Sequence, residues 1–262
     1  MELKEIISTI EALAPATFQE SYDNSGLILG SPNDEISKVL VCLDADQKAL
    51  DFAIQQGCEL ILSHHPVIFK AIKSLADDTR EGTFFVKSIK HDIAIYSAHT
   101  NFDSAIGGLS DMLCKRIGLR NINILKKAFS IKEDHGFGRY GDITPMSGEQ
   151  FISMLKAQLS VDVVRLVGAI PESISKVAVC NGSYDRDVLK ELCALKPDAF
   201  LTGDLKYHDA QELLENGIFT IDAGHYGTEK LFVEEMSKLL ETPFPDLKVL
   251  RYEGEDVYTY HL

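Results

Sequence analysis

The run Ile36-Ser37-Lys38-Val39-Leu40-Val41-Cys42 returns, with one substitution, as Ile174-Ser175-Lys176-Val177-Ala178-Val179-Cys180. An internal echo constrains a fold more than any short motif, because a copied unit must find the same supersecondary arrangement twice in one chain. Each copy is a nearly continuous apolar, β-branched run, the pattern of a strand buried on both faces. The same grammar follows in both. Gln47 to Gln56 reads as a helix ended by Gly57 and leads to the strand Glu59-Leu60-Ile61-Leu62-Ser63. Residues 187–195 read as a helix stopped by Pro197 and lead to the strand Ala199-Phe200-Leu201-Thr202. A further helix and strand then bring the copies to Ile93-Ala94-Ile95-Tyr96-Ser97 and Ile218-Phe219-Thr220-Ile221-Asp222.

Strands alternating with helices predict an α/β protein of two partly similar lobes, with largely parallel sheets covered by helices. Right-handed crossovers put the strands' carboxyl ends on one edge, where open α/β sheets carry their ligands, and a metal site is expected there, between the lobes. Periodicity breaks over 126–150, at Gly136, Gly138, Gly141 and Pro145, so the join is expected near 125–127. The expected division is a first lobe of 1–126 plus about 226–262 and a second of 127–225.

The chemistry sits just beyond those strands. His64-His65-Pro66 follows an apolar strand directly. Adjacent strand side chains point to opposite faces, so two histidines share a site only where the chain leaves the sheet, and Pro66 favours that exit. The echo continues as Ala98-His99-Thr100-Asn101-Phe102-Asp103 and Gly224-His225-Tyr226-Gly227-Thr228-Glu229, each a histidine with an acid four residues on. Taken alone, Asp103 and Glu229 are ordinary first-turn helix charges. Three strand ends converging with imidazoles and acids are not explained by capping.

His64, His65, Asp103, His225 and Glu229 are therefore expected to bind divalent metal. Imidazole with carboxylate suits zinc, manganese, iron or nickel, whereas calcium and magnesium prefer oxygen alone. Five or six donors over-supply one ion and suit two, roughly 3.5 to 4 Å apart, with Glu229 as the expected bridge. His99 could ligate, but proton transfer or orientation of Asp103 is the favoured role. His208, in the exit Thr202-Gly203-Asp204-Leu205-Lys206-Tyr207-His208, reads equally as a proton donor, a substrate or outer-sphere contact, or a surface residue. Gly107-Gly108 and Asn181-Gly182-Ser183 are turn sequences whose backbone could approach an anion, though turn geometry also explains them.

Composition narrows the partners. Forty acids against 26 bases give a formal charge of −14, which repels a phosphate backbone, and no basic patch opposes it, so no direct nucleic-acid partner is expected. No apolar run nears the roughly 20 residues that span a bilayer, and the first residues lack a signal-peptide pattern; no membrane partner and a cytoplasmic location are expected. Five cysteines without a C-x-x-C pair read as buried small hydrophobes.

Ser63-His64-His65-Pro66, 98–103 with Gly107-Gly108, and Ala223-Gly224-His225-Tyr226-Gly227-Thr228-Glu229 resemble the signature segments of the Nif-three-like family, the GTP cyclohydrolase 1 type 2 homologues. Tyr22-Asp23-Asn24-Ser25-Gly26-Leu27 resembles its amino-terminal segment, so the likeness spans nearly the whole chain. The resemblance implies a toroidal homohexamer with two-metal sites facing an inner cavity, and by motif position it places the ligands on the same five residues. Tyr22 stands where the family usually has tryptophan, Asp204 where glutamate is frequent and Tyr184 where glycine is frequent; the last puts a phosphate contact near Ser183 in doubt. The inserted middle domain of longer members is lacking. Two functions follow as expectations: a metal-dependent hydrolase of a nucleotide-like or phosphoester small molecule, or a metal-binding or metal-delivery protein without turnover.

Overall fold

The protein is described here by a computed structural model over residues 1–128, 134–259 and 261. Its strands are β1 (Gly26–Leu29), β2 (Lys38–Asp44), β3 (Leu60–His65), β4 (Ala94–Ser97), β5 (Arg120–Lys127), β6 (Gly136–Met146), β7 (Arg165–Val167), β8 (Ile174–Val179), β9 (Ala199–Thr202), β10 (Thr220–Asp222) and β11 (Lys248–Tyr252). The chain divides into two compact units, 1–102 with 232–255 and 103–231 with 256–262.

Among the described residues, the first unit holds a five-stranded sheet in the order β1-β4-β3-β2-β11. Strands β11, β2, β3 and β4 run parallel, and β1 lies antiparallel on β4. The helix Gln47–Gln56 makes the β2-to-β3 crossover. Asp46 caps it by accepting from the Ala49 N–H at 2.7 Å, and Gly57 ends it in the left-handed region at φ 66°, which glycine reaches without a Cβ clash. Its buried face of Ala49, Leu50 and Ala53 packs with Leu40, Cys42, Ile61 and Ile95 from the sheet and Phe84 and Phe85 from the helix Arg80–Lys90.

The second unit's sheet has the order β5-β6-β8-β9-β10-β7 among the described residues. Strands β8, β9 and β10 form its parallel centre; β7 lies antiparallel on β10, and the β5–β6 pair extends the other side antiparallel. Ala178, Cys180, Phe200, Leu192, Leu213 and Ile218 form the core beneath the helices Leu189–Leu195 and Tyr207–Glu215.

The echo is thus structural and longer than the sequence showed. Each copy runs helix, antiparallel edge strand, then three parallel strands with two helical crossovers, and ends in a five-residue helix. Leu3–Leu13, β1, β2, β3, β4 and Thr100–Ser104 correspond to Gly148–Leu159, β7, β8, β9, β10 and His225–Glu229. The register repeats as well, with Val39 opposite Leu60 in one sheet and Val177 opposite Ala199 in the other. The repeated Ile-Ser-Lys has a shared job at the strand entrance. Glu59 accepts from Ser37 N, Ser37 Oγ and Lys38 N at 3.1, 2.9 and 2.8 Å, and Asp198 accepts from Ser175 N, Ser175 Oγ and Lys176 N at 2.8, 2.9 and 2.8 Å. A carboxylate opening the next strand ties down the start of the previous one. Among the described residues no helix is long and apolar enough to cross a membrane.

Candidate metal centre

In the first unit, β3 delivers His64 and His65 at its carboxyl end, and His99 follows β4. The two histidines are the last residues of β3, just before Pro66, and their ring centroids lie 5.1 Å apart. One donor atom from each of His64, His65 and His99 lies within 4.8 Å of the other two. His64 is fully buried, and its ring packs 4.9 Å from that of Phe232.

Each ring is oriented from behind. His64 Nδ1 lies 2.7 Å from the Ala98 carbonyl, His65 Nδ1 lies 2.7 Å from Asp44 Oδ1, and His99 Nδ1 lies 2.8 Å from Asp23 Oδ1. A carbonyl or carboxylate can only accept, so each Nδ1 carries a proton, and Nε2 is the nitrogen left to face a cation. Asp23 also accepts from Thr100 N at 3.1 Å, from the Thr100 hydroxyl and from Ser25 Oγ at 3.0 Å. Burial pushes its carboxyl up, but His99, Thr100 and the Asn24 N–H outweigh burial and hold it well below the usual range.

In the second unit, the helix His225–Glu229 stacks its first and last residues one turn apart, with His225 Nε2 2.8 Å from Glu229 Oε2. Asp204 Oδ2 takes His225 Nδ1 at 2.8 Å. Asp103 and Glu229 are both buried and have carboxylate oxygens within 4.8 Å of each other. Asn181, at the carboxyl end of β8, donates through Nδ2 to Asp103 Oδ1 at 2.8 Å and to Glu229 Oε1 at 3.1 Å. Beside it Gly182, at φ 67°, comes so close that a Cβ would lie 2.0 Å from Glu229 Oε1.

Behind Asp103, Arg139 is 1% exposed and donates to five acceptors. These are Asp111 Oδ1 at 2.9 Å and the carbonyls of Gly136, Gly138, Ser104 and Ala105 at 2.8, 2.9, 3.0 and 2.7 Å. Every N–H of its guanidinium is used, and two of the acceptors are the carbonyls directly after Asp103.

The structure therefore groups His64 and His65 with His99 in one unit, and Asp103 with Glu229 and His225 with Glu229 in the other. His208 is exposed, bonds Gln211 Oε1 at 3.0 Å, and joins none of the metal-donor groups among the described residues. Sequence reasoning missed the supporting residues Asp23, Asp44, Asp111, Arg139 and Asn181. The position of Asp44 and Asn181 at the ends of the two echoed strands was a usable signal. A cavity of about 190 Å³ beside His65 is lined by Asp44, Gln47, Pro66, Arg80 and Phe84. Another of about 240 Å³ beside Asp204 is lined by Val163, Arg165, Asp222, Gly224 and Tyr258.

Two α/β units built on one repeated segment, each with imidazole or carboxylate donors just past its parallel strands, define an internally repeated α/β protein whose donor groups could hold metal. The chain belongs to the Duf34/NIF3 (NGG1p interacting factor 3) family, whose description it matches over residues 1–256. The motif resemblance and the two-lobed α/β expectation are borne out. A Clostridium perfringens protein named GTP cyclohydrolase 1 type 2 homolog is 34% identical, over 99% of this chain and all of the relative. The Drosophila melanogaster NIF3-like protein 1 is 29% identical over 91% of this chain and 82% of its own. Among solved structures, a Staphylococcus aureus hypothetical protein is similar with a TM-score of 0.90 at 28% identity, covering 100% of this chain and 99% of that one. Reduced HcgD from Methanocaldococcus jannaschii has a TM-score of 0.82 at 29% identity, covering 96% and 97%.

Proposed function

We propose that the chain is a metal-dependent hydrolase that uses two divalent cations and acts on a nucleotide-like or phosphoester substrate. One observation supports it above the rest: the four histidines His64, His65, His99 and His225 all have Nδ1 within 2.7 to 2.8 Å of an oxygen acceptor. Ligating histidines usually have their second ring nitrogen held in this way, and here three of the four acceptors are carboxylates. The donor set of imidazoles with the buried acids Asp103 and Glu229 fits zinc, manganese, iron or nickel.

In this proposal His64, His65, Asp103, His225 and Glu229 would hold the cations. Cations so held supply Lewis-acid polarisation of the scissile bond and activation of a water. The chain's own groups do the rest. Asp23 fixes the ring of His99 so that its Nε2 can take or return a proton, and His208 is a second candidate for that role. The cavities beside His65 and Asp204 offer room for substrate. The names of the curated relatives favour a nucleotide-like ring, and self-association into a homohexamer belongs to the same proposal.

The test is reconstitution of purified protein with manganese, zinc or iron, followed by a screen of nucleotides and phosphoesters. Turnover that is lost in Glu229→Gln and His64→Ala is the expected result. Absence of turnover together with ready metal transfer to an acceptor would replace the enzyme with a metal carrier. Sedimentation at six times the 29.1 kDa chain mass is expected for the assembly.

A further inference from the structure

We propose that Asn181 is a positioning residue that presets the Asp103 and Glu229 carboxylates to receive a cation; this rests on the proposal that those two acids are metal ligands. Asn181 is 6% exposed, and its amide is committed on both sides. Its Oδ1 lies 2.7 Å from Ser110 Oγ, while Nδ2 reaches Asp103 Oδ1 at 2.8 Å and Glu229 Oε1 at 3.1 Å. Ionised carboxylates accept only, so the NH₂ group must face them, and the carbonyl must face the hydroxyl. The side chain has one orientation that satisfies all three contacts.

The chemistry of an amide suits this position better than that of any charged residue. Two carboxylates with oxygens within 4.8 Å of each other in a buried site repel when both are charged. A lysine or arginine between them would relieve that repulsion but would also neutralise the charge that draws a cation. The asparagine NH₂ offers one N–H to each acid and adds no charge, so it keeps the two at a set separation without cancelling the charge that draws a cation. It also takes one oxygen of each acid, Oδ1 and Oε1, and thereby fixes the direction of the other. For Glu229 that other oxygen, Oε2, faces His225 Nε2 at 2.8 Å.

Asn181 is itself held in place by its surroundings. Gly182 N donates to Thr228 Oγ1 at 2.9 Å, one residue before Glu229, so the loop and the ligand helix are joined through backbone as well. A Cβ at Gly182 would meet Glu229 Oε1, so a larger residue there would push that carboxylate away from Asn181. Ser110 Oγ also lies 3.0 Å from the Asp103 carbonyl, so the hydroxyl that anchors Asn181 touches the same residue whose side chain Asn181 holds.

The test measures metal binding to the purified full chain by titration calorimetry with zinc and with manganese, beside the electron paramagnetic resonance spectrum of bound manganese. Asn181→Ala is expected to weaken binding about 10- to 100-fold, the usual effect of losing a residue that orients a ligand. It should also change the manganese spectrum, which reports ligand symmetry and which a purely structural loss of stability would leave alone. Ser110→Ala should move both readouts in the same direction by less. Glu229→Gln is the control for the underlying assignment. If Glu229→Gln binds metal as the parent does, the ligand assignment fails and this proposal falls with it. If Glu229→Gln loses metal while Asn181→Ala and Ser110→Ala keep parental affinity and spectrum, the positioning role alone is overturned. Should Asn181→Ala fail to fold, Ser110→Ala decides the question by itself.

Discussion

Asp198 accepts hydrogen bonds from both the backbone N–H and the hydroxyl of Ser175, at 2.8 and 2.9 Å. The pair pins the entrance of β8 to that of β9, as Glu59 and Ser37 pin β2 to β3. It accounts for a serine standing at the same place in both copies of the strand.

Asp198→Ala is expected to lower stability by about 1 kcal/mol, since partly exposed hydrogen bonds each contribute modestly. Burial raises the Asp198 carboxyl, but the N–H groups of Lys176 and Ser175, the Ser175 hydroxyl and the Lys176 charge outweigh burial and leave it below its ordinary 3.8. A depressed folded value means that the contribution is present above about pH 4 and lost as pH falls through the folded value. Urea unfolding of parent and variant should therefore differ at pH 7 and converge in acid; a constant gap would refute this.

Arg139→Ala is expected to destabilise by about 3–5 kcal/mol, because it leaves Asp111 charged and buried. Replacing both partners, as Arg139→Met with Asp111→Leu, should recover part of that loss. Since Arg139 also holds the carbonyls of Ser104 and Ala105, the double variant should still bind metal less tightly than the parent. Chemical denaturation and calorimetry on the same samples separate the two effects.

Thiol chemistry reports the packing. Cys42, Cys58, Cys114 and Cys180 are buried, and Cys193 is half-buried. Burial pushes the Cys58 thiol up to about 11 and the thiols of Cys42, Cys114 and Cys180 up as well. A native-state titration with an aromatic disulfide at pH 8 should find one fast thiol, lost in Cys193→Ser, and five in denaturant.

Metal should stabilise the fold, since a ligand bound only by the native state adds about 2.7 kcal/mol at 100 times its Kd. Zinc or manganese is expected to raise Tm of chelator-treated protein, and the rise should vanish in a His64→Ala, Glu229→Gln double variant. An equal rise in that variant would place the ion elsewhere.

Much of the architecture was legible because its signals are local. Apolar runs such as Val39-Leu40-Val41 mark strands buried on both faces, and Gly57 and Pro197 mark where helices stop. The edge strands were not legible. Gly26–Leu29 and Arg165–Val167 are only four and three residues long, and nothing in either says that it turns back to lie antiparallel on β4 or β10. The metal-donor candidates stood out because histidine and acid recur beyond strand ends, whereas Arg139 lay hidden among glycines in a strand.

The sequence by itself determined the repeated strand-and-helix order and the donors at the strand exits, since periodicity and residue type act over a few neighbours. Only the tertiary structure decided what aims those donors. Asp23 meets His99 from 76 residues away, Asn181 meets Asp103 from 78, and Asp204 meets His225 from 21. Such partners are chosen by sheet order and by the direction in which each loop leaves its strand, and no local pattern in the chain encodes either.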